Sequence, residues 1–269
     1  MKNFTILAFI FFTALFSGCE KFEYSPYQDD RHGELPSNLN NTNLNRLLSN
    51  SSDDDDTVTI IYTGDSQRFY DRLDDLVAKV NSLQHVDFLI ICGDIADFGI
   101  LQEYVWVCDR LKKLNVPYLA AVGNHDLTAD NGDLFTKIFG EKNFSFTYKK
   151  YKFLFHDTNG REYNFNGHVP DVPWLSSQLD DAQPEWFVGV SHVPPYDVDF
   201  DPVVENPYKE LWASDPRFIL SLHGHLHSES DSYPYSDGVR YMTSNAVVRD
   251  EALLLKFFNG QIIKEKISY

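Results

Sequence analysis

Side chains that bind metal ions follow short apolar runs at regular intervals along this sequence. Asp65, Asp94 and Asn124 each come two residues after such a run and stand 29 and 30 residues apart. His192 follows a fourth run, and a His-x-His pair at 225–227 follows a fifth. Carboxylate and amide oxygens mixed with imidazole nitrogens suit Mn, Fe or Zn. The set is too large for one tetrahedral ion. It therefore predicts two ions about 3.5–4 Å apart that share one carboxylate.

The apolar runs have the length and composition of buried β-strands, and helical patterns separate the first three of them. Residues 69–83 and 101–114 show apolar side chains at helical spacing. The result is a β-α-β-α-β order with roughly thirty residues per repeat, the length of a right-handed crossover unit. The carboxyl ends of parallel strands lie along one edge of a sheet, where ligands bind. We therefore expect Asp65, Asp94 and Asn124 to be neighbours.

The second half of the chain is dominated by predicted strands. Residues 144–148 and 151–156 form a predicted hairpin around Lys149-Lys150, and Asn259-Gly260 is a strong hairpin turn signal. Short helices are expected at 174–181 and 208–213. Further strands are predicted at 186–191, 218–222, 239–243, 252–258 and 261–267.

Five short motifs in this chain resemble those of a known enzyme family. They read Gly64-Asp-Ser-Gln67, Gly93-Asp-Ile-Ala-Asp97, Gly123-Asn-His-Asp126, Val190-Ser-His192 and Gly224-His-Leu-His227. In this order they resemble the calcineurin-like metallophosphoesterases, whose pattern is Asp-x-His, Gly-Asp-x-x-Asp, Gly-Asn-His-Asp/Glu, a histidine after a strand, and Gly-His-x-His. The resemblance covers residues 64–227. It implies an α/β fold, a four-layer α/β/β/α sandwich of two mixed β-sheets flanked by helices.

The resemblance also implies a role for each motif residue. His125 would stabilise the transition state and protonate the leaving oxygen, and Asp97 would orient His125. Two divalent or trivalent ions, Mn, Fe or Zn, would supply a bridging hydroxide as nucleophile. The implied reaction is the metal-dependent hydrolysis of a phosphate monoester or diester of a small molecule. Asp94 would bridge the ions, with Asp65, Gln67 and His227 on one ion and Asn124, His192 and His225 on the other.

Gln67 is the departure from the family pattern, which has histidine at this position. An amide is a poorer metal ligand than a neutral imidazole, so the first site is expected to bind its ion more weakly. Gln67 either ligates the ion directly or holds a water on it from the outer shell. It is also the only support for an alternative, a non-catalytic metal-binding or interaction protein that retains the fold. The pair formed by His125 and Asp97 argues against that alternative.

Composition and charge limit the partners. The chain has 269 residues, 43% of them apolar, and a formal net charge of -17. Binding to nucleic acid relies on Lys and Arg side chains that contact phosphates. We therefore expect no nucleic-acid partner, and a nuclease is a poor third hypothesis.

The N-terminus has the pattern of a bacterial lipoprotein signal. Lys2 precedes an apolar segment from Phe4 to Phe16 that is too short to span a membrane. The following Ser17-Gly-Cys19 resembles a lipobox, although Phe16 stands where an aliphatic residue is usual. We expect a signal peptide at 1–18, lipid on Cys19 as the only membrane contact, and an extracytoplasmic location in a bacterium. An ordinary secretory signal is the alternative.

The rest of the chain is predicted to form one domain behind a polar segment. We expect a partly packed tether at 19–56 and the metallophosphoesterase domain at 57–269. Within the tether, residues 39–52 are typical of a linker with a possible short helix at 44–48. The acidic run 53–56 is interpreted as a solvated linker in preference to a calcium site.

Several residues outside the five motifs carry less specific predictions. Cys92 and Cys108 are interpreted as small core residues. His223 is expected to be structural or to support the metal ligands. His156 and Asp157 either line the cleft or cap a loop, His168 is expected on the surface, and His32 and His85 are expected to be structural.

Substrate selection is assigned to three loops at about 128–135, 159–172 and 194–210. Aromatic side chains in them either stack on a sugar or base or simply pack. They are Tyr163, Phe165, Tyr196, Phe200 and Tyr208.

Overall fold

The computed structural model describes residues 35–49 and 56–269. The predicted signal peptide and lipid site, His32 and nearly all of the acidic run 53–56 lie outside the described residues. Within the described part of the chain, no helix is long and apolar enough to cross a membrane.

A five-stranded sheet carries the first three motifs. The strands β1 (Val58–Thr63), β2 (Phe88–Cys92) and β3 (Tyr118–Ala121) are parallel, with β2 in the middle. β10 (Glu251–Phe258) pairs antiparallel with β1, and β11 (Gln261–Ser268) pairs with β10 through the predicted turn. All residues of β1, β2 and β3 are buried, as expected for strands covered on both faces.

A six-stranded sheet carries the last two motifs. Its strand order is β4-β5-β6-β7-β9-β8, in which β5, β6, β7 and β9 are parallel and both edge strands are antiparallel. Both sheets are therefore mixed. The strands are β4 (Phe144–Tyr148), β5 (Tyr151–Phe155), β6 (Trp186–Val190), β7 (Phe218–His223), β8 (Ser230–Ser232) and β9 (Tyr241–Thr243).

Helices cover the outer face of each sheet. The first sheet is covered by α2 (Tyr70–Ser82), α3 (Leu101–Leu111) and α4 (Asp133–Phe139), and the second by α5 (Val172–Leu179) and α6 (Glu205–Ser214). Strand alternation divides the core accordingly: Leu89 and Ile91 face the helices, whereas Ile90 faces the other sheet. The layers are α/β/β/α, so the predicted four-layer fold is confirmed.

The segment interpreted as a linker contains a packed helix, α1 (Leu39–Ser49). Asn40 exchanges two hydrogen bonds of 2.9 Å with the main chain of Ala120, and Asn43 accepts one of 3.2 Å from Tyr118 N–H. These amides occupy the edge of β3 as a further strand would. The possible helix at 44–48 is therefore present but longer, and the linker interpretation does not hold for residues 39–49 because side-chain amides, which resemble loop composition, here pair with a sheet edge.

Apart from three short 3-10 helices, one helix and one strand of the described residues were not predicted. The helix α4 begins at Asp133, so the end of the expected loop 128–135 is helical. The three-residue strand β8 is too short and polar to show a strand pattern. The other predicted helices and strands are present, with ends that differ by up to three residues.

Candidate metal centre and active site

The predicted ligands lie where the two sheets meet at the carboxyl ends of their central strands. Asp65 N–H donates to the carbonyl of Gly93 at 3.0 Å, and Gly224 N–H donates to the carbonyl of His192 at 3.0 Å. Glycine is required at these crossings: a Cβ on Gly123 would lie 2.1 Å from Asp94 N, and one on Gly224 would lie 2.5 Å from Cys92 O. The glycines of the motifs therefore allow the strand ends to approach.

Unusual backbone conformations concentrate at the same positions. Asp65, Asp94, His225 and His227 have φ between 52° and 67°, and Gln67 has a φ of 25°. Residues other than glycine rarely adopt positive φ because it strains the backbone. Strained backbone of this kind is found preferentially at functional sites. The strain redirects each side chain from the end of its strand into the shared cleft.

Asp94 lies at the centre of the cluster. Its Oδ1 accepts a hydrogen bond of 3.0 Å from His125 N–H and lies 3.2 Å from His192 Nε2. Its Oδ2 lies 2.7 Å from Gln67 Nε2. Burial alone would raise the pKa of Asp94, but the charge and hydrogen bond of His192 lower it overall to about 2. Asp94 is therefore anionic and contacts side chains from both predicted metal sites.

His192 is held so that one ring nitrogen faces this cluster. Its Nδ1 lies 2.6 Å from the carbonyl oxygen of Cys92, which makes Nδ1 the protonated nitrogen. Its Nε2 lies 3.1 Å from Asn124 Oδ1 as well as close to Asp94. Such an orientation leaves Nε2 available to a metal ion.

The His-x-His pair lies around Asp65. Asp65 accepts bonds of 3.2 Å from His225 N–H, and its Oδ1 lies 3.2 Å from His227 Nε2. His225 Nδ1 lies 3.2 Å from Asn124 Oδ1. The structure thus places the ring of His227 beside Asp65 and the ring of His225 beside Asn124.

The donor set fits metal ions. Ligand atoms of Asp65, Asp94 and His192 lie within 4.8 Å of one another, and all three residues are buried. The carboxylate of Asp94 forms an ion pair with His192, and that of Asp65 forms one with His227. Buried carboxylates need compensating charge. Cations at this position would supply it, with Gln67, which is 2% exposed, pointing at Asp94 from the side.

His125 lies at the rim of this cluster, and Asp97 contacts it in an unexpected way. The carbonyl oxygen of Asp97 lies 2.7 Å from His125 Nδ1, whereas its carboxylate is 3.8 Å away. The carboxylate instead pairs with Arg68 at 2.9 Å. Asp97 therefore orients the His125 ring chiefly through its main chain, which no sequence motif can indicate.

Asp126, the last residue of its motif, was given no role from sequence. Its carboxylate accepts hydrogen bonds from N–H groups of Ile95, Ala96 and Gly123 at 2.9–3.1 Å. Burial, followed by the charge of Asp94, raises the pKa of Asp126 to about 7. Asp126 ties together the loops that carry Asp94 and Asn124.

Of the other histidines in the described residues, His223 and His156 have structural surroundings, whereas His85, which was expected to be structural, and His168 do not. His223 is buried, with its two ring nitrogens 3.0 Å and 2.9 Å from the hydroxyls of Ser191 and Ser221. His156 is buried between Leu154 O and Tyr208 Oη. His85 and His168 are exposed.

Of the five aromatic side chains in the predicted substrate-selection loops, some pack in the protein and others are partly exposed. Phe200 and Tyr208, the latter in α6, are buried in the core between the second sheet and its helices. They therefore pack and do not stack on a substrate. Tyr163 donates a hydrogen bond of 2.8 Å to Asp157, which is buried and caps the loop. Phe165 and Tyr196 are partly exposed.

A family model described as calcineurin-like phosphoesterase matches residues 58–229, more than half of the chain. The chain therefore belongs to the calcineurin-like phosphoesterase family. The family and the phosphoesterase class of enzyme predicted from the motifs are thereby confirmed. Members of a metallophosphatase family use divalent ions, in agreement with the donor set.

Curated relatives match over short stretches. A "Probable cyclic nucleotide phosphodiesterase" of Xenorhabdus bovienii is 31% identical over 61 residues, which is 22% of this chain and 25% of the relative. A protein of the same description from Moraxella catarrhalis is 37% identical over 46 residues, 17% of each chain. The matches thus span a quarter or less of these relatives.

Solved structures with the same fold cover most of the chain. A dimetal phosphatase from Danio rerio has a TM-score of 0.61 at 14% identity, covering 79% of this chain and 99% of its own. GAP50, described as the anchor in the inner membrane complex of Plasmodium, has a TM-score of 0.58 at 15% identity, covering 79% and 84%. At such identities the similarity shows the fold alone.

Proposed function

We propose that this protein hydrolyses phosphate monoesters or diesters of small molecules at a centre of two metal ions, with Mn, Fe or Zn as the ions. The observation that carries the proposal is the convergence of Asp65, Asp94 and His192 beside His125, whose main-chain N–H donates a hydrogen bond to Asp94. When bound, the ions would supply a hydroxide nucleophile at neutral pH and polarise the phosphoryl oxygens.

The protein's own residues would act as follows. Asp94 would hold both ions. Asn124, His192 and His225 would complete the site of one ion, and Asp65, Gln67 and His227 that of the other. The Nδ1 of His125 is engaged by the carbonyl of Asp97, which leaves Nε2 to protonate the departing oxygen. The hydrogen bond from His125 N–H to Asp94 keeps this acid next to the ions.

The names of the curated relatives favour including cyclic nucleotides among the diesters tested. We propose assays of the protein loaded with Mn²⁺, Zn²⁺ or Fe on nitrophenyl phosphate, bis-nitrophenyl phosphate and cyclic nucleotides. We expect turnover with at least one of them, reduced by about 10²–10⁴-fold in His125→Asn. His85→Asn is the matched control, because His85 is exposed and precedes β2, at the opposite end from the cluster. Inactivity of the wild-type protein on every ester would contradict the proposal.

A non-catalytic metal-binding or interaction protein is the second candidate, supported by glutamine at position 67 alone. Metal content separates the two. About two ions per chain favours the enzyme, whereas one ion or none favours the second candidate.

We further propose that the protein is anchored outside the bacterial cytoplasm by lipid on Cys19. The support is the apolar segment followed by Ser17-Gly-Cys19. Incorporation of labelled palmitate by the wild-type protein, lost in Cys19→Ala, is the expected result. Equal labelling of both proteins would contradict it.

A further inference from the structure

The ring of His225 is held between the metal cluster and two acidic side chains that have no part in the family motifs. Its Nδ1 faces Asn124 Oδ1 at 3.2 Å. Its Nε2 lies 3.4 Å from Asp197 Oδ1 and 3.6 Å from Asp199 Oδ2. One ligand atom from each of His225, Asp197 and Asp199 lies within 4.8 Å of the other two.

The two carboxylates are themselves held in place. Asp197 Oδ1 accepts a hydrogen bond of 2.9 Å from Asp199 N–H, and Asp197 N–H donates to Pro194 O at 3.0 Å. Arg161 Nη1 contacts both oxygens of Asp199 at 2.9 Å and 3.1 Å, and Arg161 N–H donates to Asp199 O. The pair therefore presents two fixed carboxylates to Nε2 of His225.

We propose that Asp197 and Asp199 are positioning residues for the metal centre. They hold the proton of the His225 ring on Nε2, so that the lone pair of Nδ1 is directed at the ion beside Asn124. This inference rests on the proposed function, because it assumes that His225 is a metal ligand. A ligating imidazole usually donates its other N–H to a carboxylate or carbonyl, which increases the basicity of the ligating nitrogen.

The ring of His192 is oriented by the sheet, whereas the ring of His225 needs another group to orient it. His192 donates from Nδ1 to the carbonyl of Cys92 at the end of β2, so the rigid sheet orients it. His225 follows Gly224 in a loop with a φ of 67°, beyond the end of β7. Among the described residues, no strand carbonyl contacts its ring in that role, and the loop 194–201 places carboxylates there.

The acidic pair is a poorer candidate for a third cation site. The Arg161 guanidinium already lies 2.9 Å from Asp199 and would repel an ion placed between the carboxylates. With Arg161 present, an uncharged donor such as the ring N–H of His225 is better suited to face these carboxylates than a further cation.

The test uses apoprotein titrated with Zn²⁺ and with Mn²⁺ by calorimetry. The variants are Asp197→Asn, Asp199→Asn and the double variant, with Asp180→Asn at the end of α5 as a matched control for charge. We expect the double variant to bind one ion about 10-fold to 100-fold more weakly, with the other ion unchanged, and each single variant to show a smaller loss. Melting temperatures of the apoproteins will show that folding is unaffected.

A second measurement does not depend on turnover. In ¹⁵N-labelled protein, imidazole resonances should show His225 protonated at Nε2 in the wild type and a mixture of tautomers in the double variant. Equal affinities in all variants would overturn the inference. Three ions per wild-type chain, falling to two in the double variant, would overturn it in favour of a cation site.

These outcomes are distinct from failure of the proposed function. A protein that shows the expected loss of metal affinity but hydrolyses no ester would contradict the proposed function and support the positioning role. A protein that hydrolyses esters with unchanged affinity in every variant would contradict the positioning role alone.

Discussion

Two aspartates three positions apart, Asp94 and Asp97, have different environments in the same motif. Asp94 is buried among His192, Gln67 and His125 N–H. Asp97 presents its carbonyl to His125 and its carboxylate to Arg68. The side chain of Asp94 is therefore central to metal binding, whereas the side chain of Asp97 acts on His125 from 3.8 Å.

We predict that Asp94→Asn abolishes binding of both ions, because its carboxylate would be shared between them. Asp97→Asn should leave metal content unchanged and reduce turnover by only about 10-fold, since the carbonyl that holds His125 remains. Metal analysis and steady-state kinetics of both variants provide the check. Loss of metal from Asp97→Asn would show that this division of roles is mistaken.

At the scale of elements, the site depends on two loops that leave neighbouring parallel strands. β2 and β3 pair in parallel, and the N–H groups beyond their ends converge on the carboxylate of Asp126. Tyr104 from α3 adds a hydroxyl 3.2 Å from the same carboxylate. One buried side chain therefore joins both loops to the helix that covers them.

We predict that Asp126→Ala lowers the free energy of unfolding by about 3 kcal/mol or more, because it leaves several buried N–H groups without acceptors. Metal affinity should fall as well, since the loop carrying Asp94 loses its anchor. Urea denaturation and metal titration measure the two effects. Asp130 lies three residues before α4 and accepts hydrogen bonds from the N–H groups of Gly132 and Leu134. Asp130→Ala should therefore cost about 1 kcal/mol and leave metal affinity unchanged. Equal behaviour of the two variants would contradict the role given to Asp126.

At the scale of the whole molecule, the second sheet is packed against α6 around a neutral buried histidine. His156 lies between Leu154 O at 2.8 Å and Tyr208 Oη at 2.9 Å. Burial lowers the pKa of His156 to about 4. The unfolded chain, with an ordinary histidine pKa near 6.5, binds a proton that the folded protein excludes.

The stability associated with neutral His156 is therefore complete above about pH 6.5 and decreases as the pH falls to about 4. We predict a loss of about 3 kcal/mol across this range from His156 alone. His156→Gln keeps hydrogen-bonding groups but cannot titrate, so its stability should depend less on pH in this interval. Urea denaturation from pH 7 to pH 4 measures the difference. Parallel curves for the two proteins would contradict the assignment.

The order of strands and motifs was predictable because parallel crossover connections bring strand ends to one edge of a sheet. From the positions of Asp65, Asp94 and Asn124 the sequence predicted a metal site, and the resemblance of its motifs predicted a general acid at His125. The family match and the four layers confirm the predicted family and fold.

Other features depend on contacts between distant segments, which no local pattern records. The pairing of α1 amides with β3 joins residues 80 positions apart, and Asp97 acts through a carbonyl present in every residue. The contacts of Asp197 and Asp199 with His225 follow from the path of a loop and the rotation of one ring. Sequence determined which residues can bind metal, and only the tertiary structure decided what holds them in position.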